Sequence, residues 1–307
     1  MQMLIDYGLS IVVAIQSMGD WLIIPMRFFS YLGREEFFFL VLPLIYWSID
    51  SSLGLRVAFI LITSNMLNYI GKLAFAGPRP YWISSDIKAL WSETSFGNPS
   101  AHAQDAMSVW GIIAARIHKT WVWIVAGAVI FLNGFSRLYL GAHFPHDVLI
   151  GWVIGGILLI AFLRYWEPAG AWLVKKTMFQ QILFAFLVSI LFISAGFSAA
   201  VMRKDFQVPE QWTSNALHAG IESPAPVDAS GIFTSAGTLF GLAIGLAWIR
   251  QNGGYQASGA VWKRGLCYVV GLMGVLLFWM GLGAIFPRGD ELVSYLLRYF
   301  RYILVGL

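Results

Sequence analysis

Apolar stretches of about twenty residues, repeated down the whole chain, constrain this sequence more than any other feature. They run over 53–76, 100–117, 120–141, 143–166, 174–200, 230–250 and 262–286. A helix that crosses a bilayer needs ~20 mostly apolar residues, because lipid offers nothing to a backbone that does not bond to itself. Only 12% of the 307 residues are charged, against roughly 25% in an ordinary soluble domain. Residues 2–16 read as an amphipathic helix lying at the interface. Residues 20–50 read as one long tilted helix, or as an interfacial piece and a short span broken near Gly33-Arg34-Glu35-Glu36. The final apolar segment, 291–307, carries Arg298 and Arg301 and reads as a last span or an interfacial helix. The expected fold class is therefore all-α, a polytopic transmembrane helical bundle of eight or nine spans forming one membrane domain over 1–307.

Charge placement gives the bundle a direction. Arg56, Arg116, Lys119, Arg164, Lys175, Lys176, Arg250, Lys263 and Arg264 fall in one set of loops, and Lys88, Arg203 and Lys204 in the other. Positive charge in short loops marks the cytoplasmic side. The long connections 77–98 and 201–229 are then expected to face the periplasm, the cell exterior or a lumen. The net charge of +4 is spread over loops, without a basic patch interleaved with aromatics, so nucleic acid is not an expected partner. The single Cys267 excludes an intramolecular disulfide. No basic residue precedes Arg27, and a cleaved signal peptide is not expected.

Three patches on that outer side carry chemistry. The first holds Lys72 near the end of a span and Arg79-Pro80 just beyond it. Alone it reads as a snorkelling lysine and a loop arginine. The second, Asn98-Pro99-Ser100-Ala101-His102, opens the 100–117 span. Pro99 suits the first helical turn, and Ser100 is expected to offer its hydroxyl and a free backbone N–H there, as a helix start that holds anions. Asp105 is placed either to orient His102 or to pair with a basic neighbour. In the third patch Ser136-Arg137 precede His143, and Asp147 follows it by four residues. If a helix starts at His143, Asp147 lies one turn on and can fix the imidazole tautomer, leaving the other nitrogen as nucleophile or base. Alone, this too reads as a structural His–Asp pair. Together the patches gather three cations, a helix N-terminus and two of the five histidines. That set suits phosphoryl transfer, with Arg and Lys carrying transition-state charge. No carboxylate pair, His-Glu-x-x-His run or cysteine group suggests a metal, and no cofactor is expected.

Lys72 with Arg79-Pro80, then Pro99-Ser100-x-His102, then Ser136-Arg137 with His143 and Asp147, resembles the signature of the type 2 phosphatidic acid phosphatase superfamily. The departure is Ala101, where the family usually has glycine. Alanine follows helical geometry, so a small effect on the phosphate-facing backbone is expected. Beyond the motifs, Arg79-Pro80-Tyr81-Trp82, Ala142-His143-Phe144-Pro145-His146, Pro209-Glu210-Gln211-Trp212 and Gly237-Thr238-Leu239-Phe240-Gly241 resemble the glucose-6-phosphatase branch. The resemblance implies a six-helix phosphatase core, here over about 53–166, followed by additional helices over about 174–307. It implies that His143 attacks phosphorus to form a phosphohistidine, that Asp147 orients His143, and that His102 protonates the leaving oxygen. Lys72, Arg79, Ser100, Ala101 and Arg137 would hold the phosphate oxygens. The expected activity is hydrolysis of a phosphate monoester at the outer or lumenal face. A lipid phosphate is expected ahead of a sugar phosphate, since such a site lies near the headgroups. The alternatives are a glucose-6-phosphatase-like sugar phosphatase and a phosphotransferase using the same site. Membrane lipids and the phosphorylated substrate are the expected partners. His118 reads as a solvated loop residue and His146 as a packing residue. The 201–229 connection, with His218, Asp205, Glu210 and Trp212, reads as a cover for the site.

Overall fold

A computed structural model describes residues 2–289 and 291–307, and every regular element among them is helical. In order these are α1 (Gln2–Gln16), α2 (Ile23–Tyr31), α3 (Glu35–Leu44), α4 (Ser51–Phe75), α5 (Pro80–Ile83), α6 (Ala101–Ile117) and α7 (Thr120–Tyr139). There follow α8 (Pro145–Val174), α9 (Met178–Val201), α10 (Glu210–His218), α11 (Ser230–Gln251), α12 (Val261–Leu276), α13 (Leu282–Ile285) and α14 (Leu292–Gly306). Six stretches among the described residues are long and apolar enough to cross a bilayer, or seven if α1 and the 20–31 helix, bent by 88°, form one broken span. The 17-residue α6 and the apolar 36–49 run fall just short of that length. Counted with them, the multi-span all-helical expectation of eight or nine stands.

Local chemistry sets the boundaries. The 20–50 stretch breaks at 32–34, as the charged Arg34-Glu35-Glu36 run suggested. Pro43 lies inside α3, and a π-helical turn, Ile45–Ile49, follows it. Proline cannot donate its backbone bond, which loosens the ladder around it. Asp50 then turns extended, and its carboxylate accepts the N–H of Leu53 to cap α4. One helix departs from the sequence reading at both ends. α8 runs past 166 to Val174 with Pro168 inside it. It also begins at Pro145, so His143 precedes the helix rather than starting it.

The chain divides into two compact units. One comprises 1–37, 67–159 and 199–228, and the other 38–66, 160–198 and 229–307. In the first unit Gly151 and Gly155 mark a close approach of two helices. A Cβ on Gly151 would sit 2.6 Å from the Ser100 carbonyl, and one on Gly155 2.5 Å from that of Gln104. These two glycines let α8 lie directly on the first turns of α6. In the same unit, Val12, Leu73, Tyr81, Trp82, Ile87, Phe96, Ala200 and Ala216 form a buried apolar cluster.

In the second unit α11 lies against α14. Gly237, Gly241 and Gly245 face carbonyls of Tyr299, Ile303 and Leu307, and Phe233 stacks on Tyr295 at 4.9 Å. A Cβ on Gly241 would meet the Ile303 oxygen at 2.1 Å, and that oxygen is backbone and cannot step aside. Gly241→Ala is therefore expected to force α11 from α14 and cost about 1–3 kcal/mol, read as a lowered thermal midpoint in detergent.

Candidate active site

Every residue singled out in the three patches lies in the first unit. Arg79, the N-cap of α5, is fully buried. Its Nε donates to the Ser95 carbonyl at 2.7 Å, one terminal nitrogen to the Ala142 carbonyl at 2.9 Å, and the other to the Phe96 carbonyl at 3.1 Å. The guanidinium thus ties the 84–98 connection to the turn that bears His143. Its face lies 5.8 Å from the Trp82 ring, which stacks at 5.3 Å on Trp212. Lys72 donates to the Ser95 hydroxyl at 2.8 Å, and Arg79 reaches the same hydroxyl at 3.2 Å. Ser95 therefore bridges two cations.

Arg137, in the last turn of α7, is also fully buried. One terminal nitrogen bonds the Ser30 hydroxyl and the other bonds Glu93 at 3.1 Å. Its guanidinium lies over Trp91 at 5.2 Å. Behind it, the Arg137 carbonyl accepts the N–H groups of Ala142 and His143, which closes the turn after α7.

His143 Nδ1 lies 3.5 Å from the Asp147 Oδ2, and its Nε2 lies 3.4 Å from Arg79. The carboxylate also accepts the Phe144 N–H at 2.9 Å. Asp147 therefore sets the backbone of the His143 turn as well as facing its ring, while Nε2 points toward the arginine. Burial first, then the charges of Arg79, Arg137, Lys72 and His102, hold His143 well below the usual histidine range. The imidazole is thereby kept neutral, the state a nucleophile needs.

The second patch differs from its sequence reading in two respects. Ser100 is the N-cap of α6, so Pro99 stands before the helix and not in its first turn. The Ser100 N–H is not free; it donates to the Asp147 carbonyl at 3.0 Å, since α8 lies so close. The Ser100 hydroxyl accepts from Ala103, and Ala101 opens the helix beside it. His102 lies edge-on to Trp91 at 6.2 Å, and its Nε2 is buried without a hydrogen bond among the described residues. Asp105 is buried in the same helix. His146 stacks on Phe144 and lies 3.3 Å from the Asp147 Oδ1. His118 is the exposed, left-handed C-cap of α6.

Sequence reasoning missed four residues here: Glu93, Ser95, Trp91 and Gly33. Glu93 lies nine residues before His102 in the connection between two cation-bearing motifs, and that was the available signal. Arg79, Arg137, Lys72 and His102 pull its carboxyl well below the usual range, against a burial effect that alone would raise it. The 201–229 connection is also more than a cover. Asn215 donates to the Trp82 carbonyl, Gln211 to that of Ile83, and Arg203 to those of Leu73 and Ala74. Ala225 donates to the Thr94 carbonyl. Together these bonds brace the segments that carry Lys72, Arg79 and Glu93.

The sequence profile of the PAP2 superfamily matches residues 53–171, and that of the PAP2 superfamily phosphatase transmembrane extension matches 233–307. Phosphatidylglycerophosphatase B of Bacillus subtilis is 34% identical over 159 residues, covering 47% of this chain and 73% of that protein. This chain belongs to the PAP2 superfamily. It is a multi-pass membrane phosphatase of the PAP2 type, related also to glucose-6-phosphatases. The catalytic subunit 1 from Canis lupus familiaris is 26% identical over 318 residues, covering 91% of this chain and 85% of that one. A crystal structure of a transmembrane PAP2 type phosphatidylglycerolphosphate phosphatase from Bacillus subtilis superposes with a TM-score of 0.43. It is 28% identical and covers 52% of this chain and 86% of that one.

Gly33 tests the PAP2 site from outside the motifs. A Cβ there would lie 2.8 Å from the His102 ring and 3.3 Å from Asn133. Gly33→Ala is expected to shift His102 and lower kcat about 10- to 100-fold, since a side chain displaced by ~1 Å within a site costs rate steeply. The thermal midpoint should change little.

Proposed function

We propose that the protein hydrolyses a phosphate monoester at the outer or lumenal membrane face through a phosphohistidine. The observation that carries the reading is the orientation of His143. Nδ1 faces Asp147 while Nε2 faces Arg79, so the free nitrogen points at the cation expected to hold phosphate. Nε2 attacks phosphorus, the P–O bond to the alcohol breaks, and His102 gives its proton to the leaving oxygen. Water then attacks the phosphohistidine, gives up a proton to His102, and inorganic phosphate leaves. Lys72, Arg79, Arg137 and the Ser100–Ala101 helix start balance the charge on the equatorial oxygens. Each step uses protein groups alone, without metal or cofactor. The outward orientation rests on the excess of Lys and Arg in the opposite loops.

A small, water-soluble substrate of the sugar phosphate kind fits the braced roof over the site better than a diacylated lipid. The Trp82–Trp212 stack and the Ala225–Thr94 bond join the 77–98 and 201–229 connections above the cations. The likeness to a glucose-6-phosphatase across 91% of the chain supports the same reading. This reverses the order expected from the sequence, where lipid phosphate came first. The lipid reading retains one specific support, the higher identity of the core to phosphatidylglycerophosphatase B.

Purified protein is to be offered glucose 6-phosphate, phosphatidate, phosphatidylglycerophosphate and isoprenyl diphosphates. Fastest release from glucose 6-phosphate is expected, and preference for any lipid ester would overturn the substrate assignment. His143→Ala should abolish release, and turnover that survives it would sink the phosphohistidine. A chelator should leave the rate unchanged.

The pH profile follows from the depressed histidine. Its neutral form persists below the ordinary value near 6.5. The acid limb of kcat/KM is therefore expected below that value and not at it. Burial of a neutral His143 and an ionised Glu93 also makes folding proton-sensitive in one direction. Both bind protons more readily when unfolded, so stability falls as pH falls through their unfolded values. Thermal midpoints measured from pH 7.5 to 4 should decline, and a flat profile would contradict the shifts.

A further inference from the structure

Glu93 is a carboxylate standing where anions are meant to bind. Its Oε1 lies 3.1 Å from the Arg137 terminal nitrogen and its Oε2 lies 3.9 Å from that of Arg79. Arg79 directs its other bonds into backbone carbonyls at 95, 96 and 142 and into Ser95. Its remaining N–H faces His143 Nε2 at 3.4 Å, so toward Glu93 it presents positive charge at ion-pair distance and no spare hydrogen bond. An ester phosphate held by Arg79 and Arg137 needs the same positive faces, and two anions cannot share them without strong repulsion.

The backbone of Glu93 does not share this conflict. The Tyr81 hydroxyl donates to its carbonyl at 3.0 Å and accepts its N–H at 3.1 Å. The loop is pinned there, while the side chain retains 26% exposure, a route to solvent. We infer that Glu93 is an internal stand-in for the substrate phosphate. Its carboxylate pairs with Arg79 and Arg137 when no phosphate is bound and rotates toward solvent when a phosphate ester enters. The inference rests on the reading of these arginines as phosphate-binding.

The consequence is a built-in competitor. It keeps the two buried guanidinium groups paired and aligned between turnovers, and it raises the dissociation constant of every phosphate that displaces it. That includes the product, so Glu93 speeds release of inorganic phosphate at some loss of substrate affinity. Trp91 reports the exchange. Its indole N–H donates to the Glu93 carboxylate at 3.1 Å, and its ring lies within 5.3 Å of Arg34 and 5.2 Å of Arg137.

The test measures competitive inhibition by inorganic phosphate in the whole protein with Glu93→Gln, which keeps the shape and removes the charge. The expected result is an inhibition constant lowered about tenfold, with KM lowered alongside it. An unchanged or raised constant would overturn the inference and make Glu93 a mere support of the arginines. Should Glu93→Gln not fold, the native protein decides. Phosphate titration should change tryptophan emission by breaking the Trp91–Glu93 bond, and that component should be missing in Trp91→Phe. Identical titrations in the two proteins would refute the displacement. If native protein binds no phosphate at all, the hydrolase reading fails with it. If phosphate inhibits but Glu93→Gln does not tighten it, the stand-in alone fails.

Discussion

Two guanidinium groups without solvent exposure, Arg79 and Arg137, impose most of the order around them. A buried cation costs several kcal/mol unless its donors are met. Arg79 meets that demand with three backbone carbonyls from two separate segments, 95–96 and 142. The 84–98 connection and the His143 turn are therefore drawn toward one point by a single side chain. Arg137 does the same for Ser30 on α2 and Glu93 on the connection. The protein uses its charge cluster as a structural centre as well as a chemical one.

The same constraint explains why His143 is held neutral. His143 sits 1% exposed beside two arginines and a lysine. Desolvation and like charge act together to keep its proton off. Asp147 faces the opposite nitrogen and holds the Phe144 amide, so the ring is oriented without being charged. With Arg79, Arg137 and His143 all buried, charges there act on one another with little solvent screening. The brace from 201–229 reaches this centre through Trp212 on Trp82, from a segment more than a hundred residues distant in sequence from Arg79.

Much of the fold was legible from the chain. Apart from α8, which continues past 166 to Val174, apolar runs of spanning length became helices within a few residues of their expected ends, because lipid leaves the backbone no other way to satisfy itself. The misplaced starts have local causes. Ser100 caps α6, which leaves Pro99 before the helix and not in its first turn, and the bond from Ser100 to the Asp147 carbonyl uses an amide expected to be free. That bond depends on α8 lying against α6, which Gly151 and Gly155 permit. The three motifs could be picked out of the chain because their spacing is fixed within single helices and turns. Glu93, Ser95 and Gly33 were not, because each acts across a loop whose path has no period.

By itself, then, the sequence determined that the chain is a bundle of membrane helices, and it singled out the side chains proposed here for phosphate chemistry: His143, Asp147, His102 and the three cations. Those follow from apolar length and from residue type at short spacing, and both are local properties. Tertiary structure alone decided that Glu93 faces Arg79 and Arg137, that Trp212 stands behind Trp82, and that Gly33 leaves room for His102. The physical reason is the same in each case. Charge pairing, ring stacking and close approach depend on distances between segments remote in the chain, and packing creates those distances.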